Sequence, residues 1–186
     1  MKKIAIFASG SGTNAQNIIE YFAKSNTIKV DSVYSNRKDA FVLERASKMD
    51  IPSFLIGRDA FYASDEFPRM LKEREIDLIV LAGFLWLVPE NLIREFKIIN
   101  IHPALLPRYG GKGMYGTKVH QAVIENGDAE SGITIHYVNQ IYDDGQIIFQ
   151  AKCRVEKEDT PEVLAARIHK LEYRYYPEII EKILLD

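Results

Sequence analysis

The chain of 186 residues has one cysteine, one tryptophan and no surplus of basic charge. Cys153 has no partner for an internal disulfide, which fits a reducing cytosol, and its plain reading is a small apolar residue packed on a strand. Lys and Arg number 24 against 26 Asp and Glu, a formal net charge of −2. That is too little positive field for general affinity for nucleic acid or for an anionic membrane. No apolar run is long enough for a membrane span or a signal-peptide core, because Met1-Lys2-Lys3 leads straight into a short strand. None of the four histidines pairs with another, or with the cysteine, at metal-ligand spacing, so no metal is expected. The absence of a Gly-x-Ser-x-Gly elbow disfavours a serine hydrolase. With no repeat, low-complexity tract or linker, the expectation is one cytoplasmic domain over 1–186, large enough to bury a core.

Strand-like runs recur at 3–8, 28–34, 52–56, 78–82 and 97–101, with helical patterns at 14–23, 40–48 and 65–74 between them. The run Ile76-Asp77-Leu78-Ile79-Val80-Leu81-Ala82 is almost unbroken in β-forming apolar residues, as in a strand covered on both faces. Such alternation predicts an α/β fold: a Rossmann-like, open twisted, mostly parallel sheet with helices on both faces. After Pro107 the pattern changes. A glycine-rich loop at 109–116 leads to a helix at 117–125, and strands at 131–138 and 146–155 flank Asp143-Asp144-Gly145, an antiparallel addition. A last helix spans 160–185, with Thr160 as cap and Pro161 in its first turn. For the first helix, Thr13 or Asn14 is the expected cap.

Between the first strand and first helix, Gly10-Ser11-Gly12-Thr13-Asn14-Ala15 fits G-x-G-x-x-G/A. Glycines admit a ligand close to the backbone, and the helix start offers free N–H groups to a phosphate. A tight turn without a ligand is the competing reading. A dinucleotide site also needs an acid at the tip of the second strand. Tyr34-Ser35-Asn36-Arg37 has none, although Arg37 would suit a 2′-phosphate and keeps an NADP-dependent reductase in play.

Asn100-Ile101-His102-Pro103-Ala104-Leu105-Leu106-Pro107 ends the fifth apolar run. Residues i and i+2 of a strand share a face, so Asn100 and His102 converge, and the two prolines stop the strand. An amide can donate to a developing oxyanion, and an imidazole can exchange protons near neutrality. A carboxylate from Asp143 or Asp144 would orient His102 and raise its pKa; nothing local separates these two. His136 either faces the same site or is satisfied within its strand. His120 and His169, on predicted helices, read as surface or structural residues.

Together these segments resemble the glycinamide ribonucleotide formyltransferases, folate-dependent enzymes of purine synthesis, over nearly the full length. Ser9-Gly10-Ser11-Gly12-Thr13-Asn14, Leu81-Ala82-Gly83-Phe84, Asn100 to Pro107 and Gly132-Ile133-Thr134-Ile135-His136-Tyr137-Val138 with Asp143-x-Gly145 carry the resemblance. It implies Asn100, His102 and Asp143 as catalytic residues. Gly10, Ser11, Gly12, Thr13, Asn14 and Glu172 would bind the ribonucleotide, and Leu85, Trp86, Leu87 and Val88, with Asn100, the folate. The implied co-substrate is 10-formyltetrahydrofolate, without metal, and the partners are small molecules rather than nucleic acid or membrane, the chain acting as monomer or homodimer. Residues 1–100 would form the phosphate-binding half, and 101–186 the catalytic, folate-facing half. Sister enzymes, methionyl-tRNA formyltransferase and formyltetrahydrofolate hydrolase, carry added domains for which this chain has no room. Three departures stand out: Ser64 where relatives place an arginine near the folate tail, with Arg58 as the substitute; Asp144 in place of a small residue; and a long glycine-rich loop at 110–116.

Overall fold

A computed structural model describes residues 1–186. The elements run β1 (Lys2–Phe7), α1 (Thr13–Phe22), β2 (Ile28–Ser35), α2 (Phe41–Lys48), β3 (Ser53–Leu55), α3 (Arg58–Tyr62) and α4 (Glu66–Glu73). There follow β4 (Leu78–Leu81), α5 (Glu90–Glu95), β5 (Ile98–His102), α6 (Thr117–Glu125), β6 (Glu130–Tyr137), β7 (Ile147–Arg154) and α7 (Pro161–Leu185). All seven strands form one sheet in the order β3-β2-β1-β4-β5-β6-β7. The first five strands pair in parallel, and β6 and β7 add antiparallel to the β5 edge. No helix is long and apolar enough to cross a membrane.

The apolar central strands are explained by burial on both sides. On β1, Ile4 and Ile6 enter a core shared with α1, α2, α6 and α7, while Ala5 and Phe7 enter a second core under α3, α4 and α5. On β4, Leu78 and Val80 divide from Ile79 and Leu81 in the same way. Tyr176 of α7 is fully buried and donates its hydroxyl to the Leu81 carbonyl at 2.8 Å, fixing the long helix to the carboxyl end of β4. Thr160 caps that helix as expected, accepting from the Val163 N–H.

Strand order places the site. From β1 the chain winds outward to β2 and β3, then crosses back to β4 and β5. The loops leaving β1 and β4 therefore part in opposite directions and open a crevice at the carboxyl ends of the strands, where open α/β sheets bind ligands. Ser9 bridges its walls, donating to Asn36 Oδ1 at 2.6 Å and accepting from the Leu85 N–H at 2.9 Å.

Two expectations need correction or addition. The cap of α1 is Gly12, not Thr13 or Asn14, and no side chain caps this end. Gly12 lies at φ 75°, and a Cβ there would sit 2.4 Å from Val42 Cγ2, so only glycine lets α1 start against α2. Helices α3 and α5 have five and six residues, too few for a readable helical period.

Gly12→Ala should lower unfolding stability by about 2 kcal/mol or more, through left-handed strain and the clash with Val42. Gly10→Ala, with nothing within 4 Å of the added carbon, should stay within about 0.5 kcal/mol of the parent. Urea unfolding of both variants checks the contrast.

Candidate active site

Strand β5 ends by delivering Asn100 and His102 to one face, and antiparallel pairing sets His136 of β6 directly opposite Asn100. Asp143 arrives from the β6–β7 connection at φ 54°. Its turn closes tightly: a Cβ on Gly145 would lie 1.6 Å from the Tyr137 carbonyl oxygen. Thr134, opposite His102, holds the chain beyond β5 by donating to Ala104 O (2.7 Å) and accepting from Leu106 N–H (3.0 Å).

Four groups surround the Asp143 carboxylate. Oδ1 lies 3.3 Å from Asn100 Nδ2 and 3.7 Å from His136 Nε2. Oδ2 accepts from the Gly111 N–H at 3.0 Å and lies 3.5 Å from His102 Nδ1. Asp144, by contrast, is exposed and accepts from Asn139 Nδ2. The structure thus separates two aspartates that nothing local in the sequence could, in favour of the one the resemblance implies.

Carbonyl oxygens only accept, which assigns the imidazole protons. His102 Nε2 donates to Tyr109 O at 2.7 Å, so in the neutral ring Nδ1 is bare and faces Asp143. His136 Nδ1 donates to Tyr137 O at 2.8 Å, so its Nε2 accepts from Asn100 Nδ2 at 3.1 Å. Both amide hydrogens of Asn100 therefore have acceptors, one on His136 and one on Asp143.

The expectation that an acidic neighbour raises the His102 pKa is corrected in its net sign. Burial pulls the ring down; Asp143 and the Tyr109 carbonyl push it up, but burial prevails and His102 titrates below its ordinary value. For Asp143 the balance reverses. Burial pushes its carboxyl up, yet His136, His102 and the Gly111 N–H outweigh that and hold it below the usual carboxylate range.

Three adjoining cavities meet here. The first, about 370 Å³, is lined by Asn100, His102, Asp143, Gly83, Leu85 and the glycine-rich loop from Gly111 to Tyr115. A narrow apolar slot beside it has Phe84, Trp86, Leu87, Val88 and Val138 on its walls and shares Asn100 and Asp143 with the first cavity. On the other side lies a cavity of about 310 Å³ lined by Gly10, Ser11, Gly12, Thr13, Asn14 and Glu172, which shares Gly83, Leu85, Ile101 and Tyr115 with the first. Each cavity draws residues from both halves of the chain.

Glu172, 4% exposed, accepts on Oε2 from Asn14 Nδ2 (3.0 Å) and His169 Nδ1 (2.8 Å). His120 and His169, read from sequence as surface or structural, both line this third cavity, as does Arg37. Arg37 is already engaged: Nε and Nη2 reach the two carboxylate oxygens of Asp39 at 3.3 and 3.0 Å. It is not set aside for a 2′-phosphate, and the reductase alternative loses its support. Of the two readings left open for His136, strand pairing selects the one that faces the site. Besides the two helix histidines, sequence reasoning missed Ser9 and Tyr115 as site residues, which only docking places there. At the slot's rim, the Arg58 guanidinium stacks over Tyr62 (5.3 Å) and Trp86 (5.7 Å), and the Tyr62 hydroxyl donates to Leu87 O. Ser64 is committed to the start of α4, accepting from the Glu66 N–H.

Residues 2–180 match the family described as formyl transferase. The chain is 41% identical to the chloroplastic phosphoribosylglycinamide formyltransferase of Arabidopsis thaliana, over 98% of this chain and 65% of that protein, so it spans just under two thirds of that relative's length. To the phosphoribosylglycinamide formyltransferase of Bacillus subtilis (strain 168) it is 36% identical, over 99% of this chain and 95% of that one. The crystal structure of phosphoribosylglycinamide formyltransferase from Bacillus halodurans superposes with a TM-score of 0.86 at 36% identity, covering 100% of this chain and 96% of the other.

Asp143→Asn should lower the His102 pKa further, since it removes a charge that pushes the ring up. NMR titration of the imidazole measures this. An upward shift would show that the carboxylate does not act on this ring.

Proposed function

This chain belongs to the formyl transferase family, and on that footing we propose that it transfers the formyl group of 10-formyltetrahydrofolate to the amine of glycinamide ribonucleotide. One observation carries the reading: Asn100, His102 and Asp143 line the cavity that joins an apolar slot to a glycine-loop cavity. The slot, about 50 Å³, offers apolar walls to one end of a flat pterin ring, and the adjoining cavity with which it shares Asn100 and Asp143 gives the ring its room. The glycine loop at the start of α1 suits a phosphate, with backbone N–H groups and the positive end of the helix dipole. Glu172 suits the ribose hydroxyls as an acceptor. The reacting amine and formyl carbon then meet beside Asn100 and His102. The same reading makes the protein a cytoplasmic monomer or homodimer with small-molecule partners only.

The neutral glycine amine attacks the formyl carbon: an N–C bond forms and the carbonyl electron pair moves to oxygen. Asn100 turns an amide N–H to that oxyanion, the contact that grows as negative charge develops. His102, neutral at rest and bare at Nδ1, takes the proton from the attacking nitrogen. Its new positive charge lies 3.5 Å from Asp143 and close to the oxyanion, so a charge disfavoured by burial at rest is matched when it forms. Collapse re-forms the carbonyl and breaks the bond to the folate nitrogen, which recovers the proton from His102. A low resting pKa is useful here, because a ring already protonated could not accept.

Incubating the protein with 10-formyltetrahydrofolate and glycinamide ribonucleotide, with the product detected by mass spectrometry, tests the activity; absence of the formylated ribonucleotide overturns it. Asn100→Ala should lower kcat by about 10²–10³ while leaving the ribonucleotide Kd near its parent value. Near-parental turnover would remove Asn100 from the chemistry. Arg58, seated on two aromatic rings, is the cation available to the folate's glutamate carboxylates. Arg58→Ala should raise KM for the glutamate-bearing donor by about tenfold and leave KM for the corresponding pteroate, which lacks the glutamate, unchanged.

A further inference from the structure

Both donors to Glu172 converge on one oxygen. Asn14 reaches Oε2 from α1, and His169 reaches the same atom from one turn earlier on α7. Oε1 makes no hydrogen bond, although the residue is 4% exposed. The clamp is stiff: the His169 ring stacks flat on Tyr173, and Asn17 of α1 donates to the Tyr173 carbonyl at 2.8 Å, holding the two helices together. A buried carboxylate needs compensating charge, and more so in a cavity whose glycine loop suits a phosphate dianion.

The other titratable groups lining this cavity do not supply that charge, and Arg45 sits behind the glycine loop, donating to the Ser11 carbonyl without lining the cavity. Across from His169, burial pulls the His120 pKa down and leaves that ring neutral. Arg37 is paired with Asp39. His169 is the group whose proton is favoured: its hydrogen bond to Glu172 pushes its pKa up, and partial burial opposes this without prevailing.

We propose that His169 is a positioning residue of the acceptor site, which pins one oxygen of Glu172, leaves the other for the ribose hydroxyls, and supplies the positive charge that lets this carboxylate share a cavity with a phosphate. The proposal rests on reading the cavity as the ribonucleotide site. With a raised pKa, the charge is present below that pKa and is lost as pH rises through it. The pair then passes from net zero to net −1 beside the bound phosphate, and acceptor affinity falls. His169 is about half exposed (47% of its side chain), so solvent screens the effect to roughly fivefold to tenfold in Kd.

Calorimetric titration with glycinamide ribonucleotide, without formyl donor, at about pH 6.5 and about pH 9 tests this on the parent, His169→Gln and His169→Lys. Both substitutions keep a hydrogen-bond donor, and Lys alone keeps the charge. The parent should bind tightly at the lower pH and more weakly at the higher. The Gln variant should bind about fivefold to tenfold more weakly at the lower pH, with little further loss, and the Lys variant tightly at both. At saturating substrates kcat should be the same in all three. A Gln variant that binds like the parent at both pH values overturns the proposal, as does one that loses kcat and keeps its affinity. A parent that does not bind the ribonucleotide overturns both the proposal and the site reading. A parent that binds it but transfers no formyl group overturns the activity alone, because the affinity comparison needs no turnover.

Discussion

The Asp143 side chain is 11% exposed and must stay ionised inside the protein. An uncompensated carboxylate at that depth costs several kcal/mol, so its surroundings are constrained as a set. The Gly111 N–H and the Asn100 amide meet that need as donors, and two imidazoles stand at 3.5 and 3.7 Å, where each compensates the charge once protonated. Each contribution ties down a different part of the chain: the glycine-rich loop, the end of β5 and the end of β6. The interaction that keeps one charge stable within the fold therefore also sets the proposed catalytic side chains at their mutual distances. His102 depends on it for a second reason. Burial favours its neutral ring, and the adjacent carboxylate makes its charged form attainable in the proposed reaction.

The topology decides what can reach that centre. Reversal of strand order between β1 and β4 opens the crevice, and Ser9 fastens the walls to each other. The apolar slot and the glycine-loop cavity are then neighbours by construction, with β5 ending between them. Tyr176 and Glu172 lie one turn apart on α7, so the hydrogen bond that docks the helix on β4 also aims the carboxylate at Asn14. Stability and the proposed substrate placement share the same contacts on this helix.

Much of this is legible in the sequence because strand periodicity is strict. Central strands buried on both faces wrote unbroken apolar runs, and the i, i+2 rule put Asn100 and His102 together. What stayed hidden depends on contacts distant in sequence. His136 joins the centre only through β5–β6 pairing, and, the family resemblance aside, Asp143 is told from Asp144 by the direction of their shared turn. His120 and His169 gain their place when α6 and α7 dock. The Gly12 cap is dictated by Val42, thirty residues away in the chain. The net sign of the His102 shift follows from depth of burial, which no local motif encodes. Helices α3 and α5 were missed for a simpler reason: each is shorter than two turns.

A crystal structure with glycinamide ribonucleotide and a folate analogue bound together is the most direct test of the central claim, that Asn100, His102 and Asp143 mark the meeting point of two substrates. The account predicts the phosphate on the loop from Gly10 to Asn14, the pterin in the slot beside Trp86 and Val138, and the glycine amine within about 3.5 Å of His102 or Asn100. A ternary complex with the amine well away from both side chains, or with the phosphate bound elsewhere, would contradict it.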